Sequence, residues 1–409
     1  MNVESALRGL RTELAHELRT GILPYWMFNA VDAEGGGFVG GVDGSDARVA
    51  DAPKGAILNA RIAWTFSAAH RTLGVGAYRA LADRAAAYLR ARFFDPRHGG
   101  VFWLLDAGGA PLEDRKHVYA QAFAIYGLSE HFRATADERS LKAALQLAGL
   151  VEKHAADPVH GGYQEAFSRD WRPLLDVRLG DTDADEPRSM NTHLHLVEAY
   201  ANLLRARPDA RLRERTAALL RVLLERVLDP ATGHLGLFFD MDWTPRSSAV
   251  SFGHDIEASW LLLEVAELLG EAALRAQARA ASIRLAEAVL AEGVDPAGGL
   301  LDAPAAEDDP VGRQKEWWPQ AEALVGFVNA YELTGREEFV EAACAIWDFT
   351  RRHIIDERGG EWRRRVARDG APLQGLEKIG PWKCPYHNGR ACLEIIARVP
   401  RLLSAVAAG

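Results

Sequence analysis

The stretch Asp95-Pro96-Arg97-His98-Gly99-Gly100-Val101 recurs along the chain in looser form. An Asp opens a short turn, one to three glycines close it, and an aromatic or aliphatic residue follows. The other copies are Asp32-Ala-Glu-Gly-Gly-Gly-Phe, Asp157-Pro-Val-His-Gly-Gly-Tyr, Asp229-Pro-Ala-Thr-Gly-His-Leu, Asp295-Pro-Ala-Gly-Gly-Leu and Asp356-Glu-Arg-Gly-Gly-Glu-Trp. Successive Asp residues stand 63, 62, 72, 66 and 61 residues apart. A fixed period of that length marks a repeat architecture, with room for two helices and one long loop per unit.

Helical periodicity fills the intervals. It predicts twelve helices, over 3–21, 54–73, 76–93, 115–134, 138–155, 188–206, 209–228, 251–269, 271–292, 314–334, 337–354 and 384–405. Gly74, Gly270 and Gly335 sit at tight junctions between them, where a left-handed C-terminal cap favours Gly. The remaining connections are long, and long loops in compact domains are usually functional. Several read as β-hairpins, for example Gly360-Glu-Trp-Arg-Arg-Arg-Val with Asp369-Gly370 as the turn. Polarity alternates between the helices. The 209–228 helix carries eight charged residues in 20, against three in 20 for 54–73 and four in 19 for 251–269. An amphipathic helix lies at a surface and an apolar one is buried. Every second helix therefore belongs to an inner ring. The expected fold is all-α, a closed (α/α)6 barrel of twelve helices spanning 1–409 as one catalytic domain. Short β-hairpins lie in the long loops on the active-site side. An open α-solenoid is the alternative, but polar capping repeats are not evident at its ends.

Composition excludes several function classes. The chain has 409 residues, 48% hydrophobic and 26% charged, with 48 basic and 57 acidic residues and a net charge of −9. Its basic residues are scattered, which leaves no footprint for nucleic acid or for an anionic membrane. No stretch reaches 18 uninterrupted apolar residues, and the N-terminus lacks an apolar signal segment. Three cysteines, Cys344, Cys384 and Cys392, make no disulfide framework, so a cytoplasmic setting is expected. No P-loop, Rossmann glycine fingerprint, HExxH or GxSxG occurs. Compact zinc-ligand spacing is missing too, and no metal is assigned.

Polar and aromatic residues collect where the long loops enter the inner helices. The residues are Arg61 and Trp64; His117 and Tyr119; Asn191, His193 and His195; His254, Glu257 and Trp260; Trp317, Trp318 and Glu322; and Trp382, His387 and Asn388. Asn191 and His195, like Trp318 and Glu322, are four apart; Arg61 and Trp64, like His254 and Glu257, are three apart, so each pair shares a helix face. His195, His254 and His387 fall at equivalent points of three repeats, which points to joint chemistry rather than to isolated core histidines. His193 faces elsewhere and reads as structural. Glu257 and Glu322 are either ligand contacts or orienters of the histidines, or else partners of Arg61 in a buried ion pair. Trp318 and Trp382 are either core residues or flat platforms for sugar rings. Cys384 reads as a small buried hydrophobe.

Six segments in order resemble the N-acylglucosamine 2-epimerase superfamily, and within it the cellobiose 2-epimerases. They are AILNARIAWTF at 56–66, RKHVYAQAFAIYGLSE at 115–130, EPRSMNTHLHLVEAYANL at 186–203, AVSFGHDIEASWLLLE at 249–264, WWPQAEALVGF at 317–327 and WKCPYHNGRACLE at 382–394. The resemblance covers essentially the whole chain and implies the (α/α)6 barrel. It implies epimerisation at C2 of a reducing-end sugar, cellobiose to glucosylmannose and lactose to epilactose, with aldose–ketose isomerisation in some relatives and no cofactor or metal. It implies His195 and His387 as the acid/base pair at C2, His254 in ring opening and closing, and Arg61 on the sugar oxygens of the enediolate. Trp318 and Trp382 match stacking residues, and Tyr119, Asn191, Glu257, Trp260 and Glu322 match the surrounding polar shell. Asp183, in the loop before the sixth helix, matches an acid that contacts substrate. The expected partner is a small β-1,4-linked disaccharide, and the expected assembly a monomer or weak homodimer.

The chemistry suits these residue types. The C2 proton is removable only in the open-chain aldehyde, so ring opening comes first. Imidazole, with an ordinary pKa near 6.5, can take that proton at neutral pH, and a placed acid or base contributes typically 10²–10⁴-fold. Arg61 is the natural partner for enediolate charge. Inverting C2 calls for a proton donor on the opposite face. Rival readings are a mannose–glucose isomerase or an N-acylglucosamine 2-epimerase on the same fold, a glycoside hydrolase using Glu257 and Glu322 as a carboxylate pair, and a non-catalytic helical binding module.

Overall fold

The computed structural model describes residues 2–180, 183–304 and 314–408. Among them the helices are α1 (Val3–Glu17) with a short continuation α2 (Leu23–Asn29), α3 (Ala56–Leu73), α4 (Gly76–Tyr88), α5 (Val118–Thr135), α6 (Glu138–His154) and α7 (Met190–Ala206). The series goes on through α8 (Ala210–Val222), α9 (Phe252–Leu269), α10 (Ala272–Ala288), α11 (Trp317–Thr334), α12 (Glu337–Phe349) and α13 (Tyr386–Ala408). Apart from α2 these are the twelve helices expected from the repeat. Inner helices touch in the order α3, α5, α7, α9, α11, α13, and α13 returns to α3. The barrel is closed, and the open solenoid is set aside.

Polarity explains the two rings. Helix α9, FGHDIEASWLLLEVAELL, is buried on nearly every face, whereas α8 buries only one stripe, Leu212, Thr216, Ala217, Leu219 and Leu220. Gly74, Gly270 and Gly335 end α3, α9 and α11 at φ of +70°, +71° and +70°, as the junction residues predict. In the second repeat Ala136 takes that left-handed place at φ +59°.

The structure corrects the starts of the inner helices. Residues Lys54–Gly55 (β1), Lys116–His117 (β4), Arg188–Ser189 (β6) and Lys315–Glu316 (β8) are short strands, and the helices begin after them. Each pairs antiparallel with a strand one repeat further on: β2 (Leu104–Leu105), β5 (Ala166–Phe167), β7 (Phe238–Phe239) and β9 (Arg365–Val366). A further strand, β3 (Pro111–Glu113), extends β2. Val42 pairs with Ile379 in the same sense, so the loops also close into a ring. The expected hairpin turn at Asp369-Gly370 is present, with Gly370 at φ +89° donating its N–H to the Ala367 carbonyl at 2.8 Å.

These strands carry buried cations that reach back to the Asp of the preceding signature. Lys54 lies 2.6 Å from Asp32, Lys116 is 3.2 Å from Asp95, and Lys315 is 3.2 Å from Asp295, while Arg188 pairs with Asp157. In the sixth repeat Lys378 lies 2.9 Å from Asp356. The same carboxylates accept backbone N–H groups of their own turn, as Asp95 does from Arg97 at 2.9 Å. One Asp therefore folds its loop and ties that loop to the entrance of an inner helix. The outer helices α1, α4, α8, α10 and α12 all end in a five-residue π-helical turn.

Candidate active site

The short strands fix where the first turns of α3, α5, α7 and α11 face. A cavity of about 190 Å³ lies there, lined by Arg61, Tyr119, Asn191, His195, His254, Glu257, Glu316, Trp317, Trp318, Arg364, Trp382 and His387. All six inner helices and the segment leading into α13 thus supply one cup. Arg61 is buried, donates to the Tyr119 hydroxyl at 2.9 Å, and lies 4.1 Å over the Phe123 ring. Burial works against its charge, but Tyr119, Cys384 and Tyr386 outweigh that and raise its pKa.

Each of the three histidines is backed by a carboxyl group. His195 Nδ1 lies 3.0 Å from Glu198 Oε2, and His387 Nδ1 lies 2.7 Å from Glu322 Oε1. His254 Nδ1 meets the Ser251 hydroxyl at 2.8 Å, and that hydroxyl donates to Asp302 at 3.0 Å. An engaged Nδ1 leaves Nε2 as the working nitrogen. The rings of His254 and His387 lie 4.8 and 5.4 Å from the Trp318 indole. His195 differs, because its Nε2 also faces a carboxylate, Glu257 Oε2 at 4.0 Å.

Burial reshapes the proton affinities. It pushes His254 down to about 3, helped by the charges of His195 and Arg61, and pushes His387 well below the ordinary histidine range, helped by Arg61 and Arg390. Burial raises Asp302 to about 7 and raises Glu322 as well, the latter against the pull of Arg390. Burial thus works against the charged imidazoles of His254 and His387 and against the charged carboxylates of Asp302 and Glu322 alike. Burial would also raise Glu198, yet Arg390, His195 and Tyr386 hold it down at about 2.

Beneath the cup lies a residue that spacing did not single out. Arg390 donates to Glu198, Glu257 and Glu322, the last at 2.7 Å, and to the Tyr386 hydroxyl. One guanidinium thus spans the carboxylates behind two of the histidines. Its charge also bears on metal binding. The ligand atoms of Glu257, Glu322 and His387 lie within 4.8 Å of one another, a grouping compatible with an ion. Arg390 already supplies positive charge to both carboxylates there.

Other expected residues fall into place unevenly. Trp382 stands at the cup beside Trp103 and Tyr119, with centroids 6.2 and 6.1 Å away. Asn191 lines the cup, and its side-chain oxygen has no hydrogen-bond partner. Asp183 lines a neighbouring chamber of about 320 Å³ that shares Asn191 and His254 with the cup, and its carboxylate accepts the Gly180 N–H at 2.9 Å. Trp260 and Glu322 are not on the cup wall: Trp260 Nε1 donates to Glu322 at 3.2 Å from below. Trp64 lies on the same lower side. His117 caps α5 and meets the Val177 carbonyl at 3.2 Å, and Asn388 donates to Glu361 at 2.6 Å. His193 is structural, as its face predicts, accepting the Tyr163 N–H at 2.9 Å. Glu257 and Glu322 do not form an ion pair with Arg61; Arg390 takes that place. Nor do they suit glycoside hydrolysis, since both are tied to the Arg390 guanidinium and only Glu257 lines the cup, so they do not flank a substrate as an acid and base pair would.

Comparison with known proteins agrees with this geometry. The sequence profile of the N-acylglucosamine 2-epimerase (GlcNAc 2-epimerase) family matches residues 36–391. A cellobiose 2-epimerase of Bacteroides fragilis is 44% identical over 387 residues, 95% of this chain and 98% of that one. The solved structure of the cellobiose 2-epimerase from Bacillus thermoamylovorans superposes with a TM-score of 0.90 at 39% identity, covering 96% of this chain and 100% of that one. A D-mannose isomerase of Thermobifida fusca is more distant, 26% identical over 90% of both chains.

Proposed function

The chain belongs to the N-acylglucosamine 2-epimerase family, and from that premise we propose that it epimerises C2 of the reducing-end glucose in β-1,4-linked disaccharides, converting cellobiose to glucosylmannose and lactose to epilactose. The observation that carries the reading is the convergence of three carboxyl-backed imidazoles and Arg61 on one cavity. Room for a second ring is supported by the adjoining chamber with Asp183 and by the Trp382 indole at the cup.

In the open-chain aldehyde, Arg61 and Tyr119 meet the oxygens on C1 and C2 and stabilise the enediolate as charge develops there. His254 and His387 suit the two faces of C2. Each has a single nitrogen engaged by protein and its ring against Trp318, so Nε2 is free to meet a carbon. One Nε2 takes the C2 proton. The other returns a proton to the opposite face, and its carboxyl partner resupplies Nδ1. His195 has carboxylates near both nitrogens and is better placed to address sugar oxygens than a carbon. The geometry thus favours exchanging the roles that the family resemblance implies for His195 and His254.

Carbon NMR with cellobiose or lactose in D2O tests the reading. Mannose-type anomeric signals with deuterium at C2 are expected, and His254→Ala or His387→Ala should lower the rate by roughly 10²–10⁴-fold with the fold intact. An unchanged disaccharide alongside converted mannose would move the activity to monosaccharides. Release of free glucose would refute the epimerase reading outright.

A further inference from the structure

We propose that Glu257 and His195 form the acid–base couple that opens and closes the sugar ring, separate from the pair at C2; this rests on the epimerase reading above. Glu257 is wholly buried and lines the cup, yet its Oε2 has no hydrogen-bond partner. Buried polar atoms are nearly always paired, so an orphan facing a cavity calls for a ligand. Its other oxygen is held by Arg390, so Oε2 is the carboxyl oxygen left without a protein hydrogen bond. Across from it stands His195 Nε2 at 4.0 Å, while Nδ1 of the same ring is held by Glu198 at 3.0 Å. That separation is too long for a hydrogen bond. It suits two oxygens of one carbon, O1 and O5 of the cyclic sugar, set between acid and base.

The step balances internally. His195 Nε2 takes the O1 proton, the O1 electron pair forms the aldehyde double bond, the C1–O5 bond breaks, and Glu257 Oε2 gives its proton to O5. The imidazolium and carboxylate left behind face each other and stay charged while the chain is open, Nε2 keeping the proton that O1 gave up. Ring closure is the reverse. Burial, with Glu322 nearby, raises Glu257 to about 7, consistent with a carboxyl that starts protonated near neutrality. His195 and Arg390 lower its proton affinity and Glu198 raises it, and His387 Nδ1 lies 3.9 Å from its other oxygen.

Exchange NMR between the α and β anomers of lactose reads ring opening directly, whether or not C2 reacts. Wild-type protein should speed anomer exchange. Glu257→Gln, which keeps the oxygen toward Arg390, and His195→Ala should each lose roughly 10²-fold of that acceleration. His254→Ala should lose the epimer and still exchange anomers. Binding of lactitol, an open-chain alditol, by calorimetry reports whether the cup is intact. If Glu257→Gln fails to bind it, Glu257→Asp is measured with the same expectation. Anomer exchange at the wild-type rate in the intact variant overturns the couple, as does equal loss of exchange in His254→Ala. Wild-type protein that exchanges anomers but forms no epimer refutes the 2-epimerase reading and leaves the couple standing.

Discussion

Arg390 shows what a side chain does when its partners come from three helices. Removing it strands Glu198, Glu257 and Glu322 in a buried space, and breaking a buried ion network typically costs about 3–5 kcal/mol. Arg390→Met is expected to lower the melting temperature sharply in a calorimetric scan, and Arg390→Lys, with charge but no fork, to fall between it and wild type. Ser251 is a milder link. It caps α9 and joins His254 to Asp302. Ser251→Ala should cost about 1 kcal/mol of stability as a lost cap. It should also lower kcat by roughly 10²-fold with little change in KM, because the imidazole loses its proton partner. Histidines and Arg61 were legible because such residues stand out on apolar helices. Glu198 and Arg390 follow His195 and His387 by three positions, the same spacing, but a charged residue on a helix ordinarily reads as solvated, and only the closed ring buries it. Ser251 and Asp302 lie 51 positions apart, beyond the reach of any local pattern.

At the level of elements, helices are placed by what precedes them. Periodicity ran the inner helices back through Lys54, Lys116, Arg188 and Lys315, since a two-residue strand is too short to interrupt a 3.6-residue pattern. Nothing in the sequence pattern singles out those cations. Their burial against the signature Asp makes them pins that hold each loop to the next helix. Lys116→Met leaves Asp95 with the half-exposed Arg169 alone, and a loss of about 3 kcal/mol in urea unfolding is expected. Asp95 itself is held well below the ordinary carboxylate range: burial opposes this, but Arg169, its own turn and Lys116 outweigh it. The wide turns that end the outer helices had no sequence signal either. Each sets two residues four apart into the core, such as Leu89 with Phe93 or Leu223 with Val227, a spacing that an ordinary helix also provides.

Over the whole molecule, buried acids and buried histidines act against each other as pH changes. Burial raises Glu17, Glu165, Glu257 and Asp302 to about 7, and such groups favour the folded state at low pH and lose that contribution as pH rises from about 4.5 to 7. Burial lowers His117 and His254 to about 3 and His193 to about 4; their contribution is present above 6.5 and lost as pH falls. Between about 4.5 and 6.5 the two sets offset one another, and below that only the loss remains. Urea midpoints at pH 7 and 5.5 should therefore be close, with a steep fall by pH 4; a steady decline from 6.5 would show the acids do not compensate. The barrel itself was the most legible feature, because sixfold spacing and alternating polarity are both written along the chain. What spacing could not show is how the ring is sealed. Helix α1 packs on α12 and α13, Trp347 donates to Glu13 at 2.7 Å, Trp362 donates to Glu17 at 3.0 Å, and Val42 pairs with Ile379. These contacts join residues more than 330 positions apart, and such distant pairings are slow to form. A nascent chain must hold five sixths of the circle open until its last helix emerges, and that helix brings His387 and Arg390 with it. Recovery of epimerase activity after dilution from urea should accordingly trail the recovery of helical signal, making the reaction a clock for the sealing of the ring.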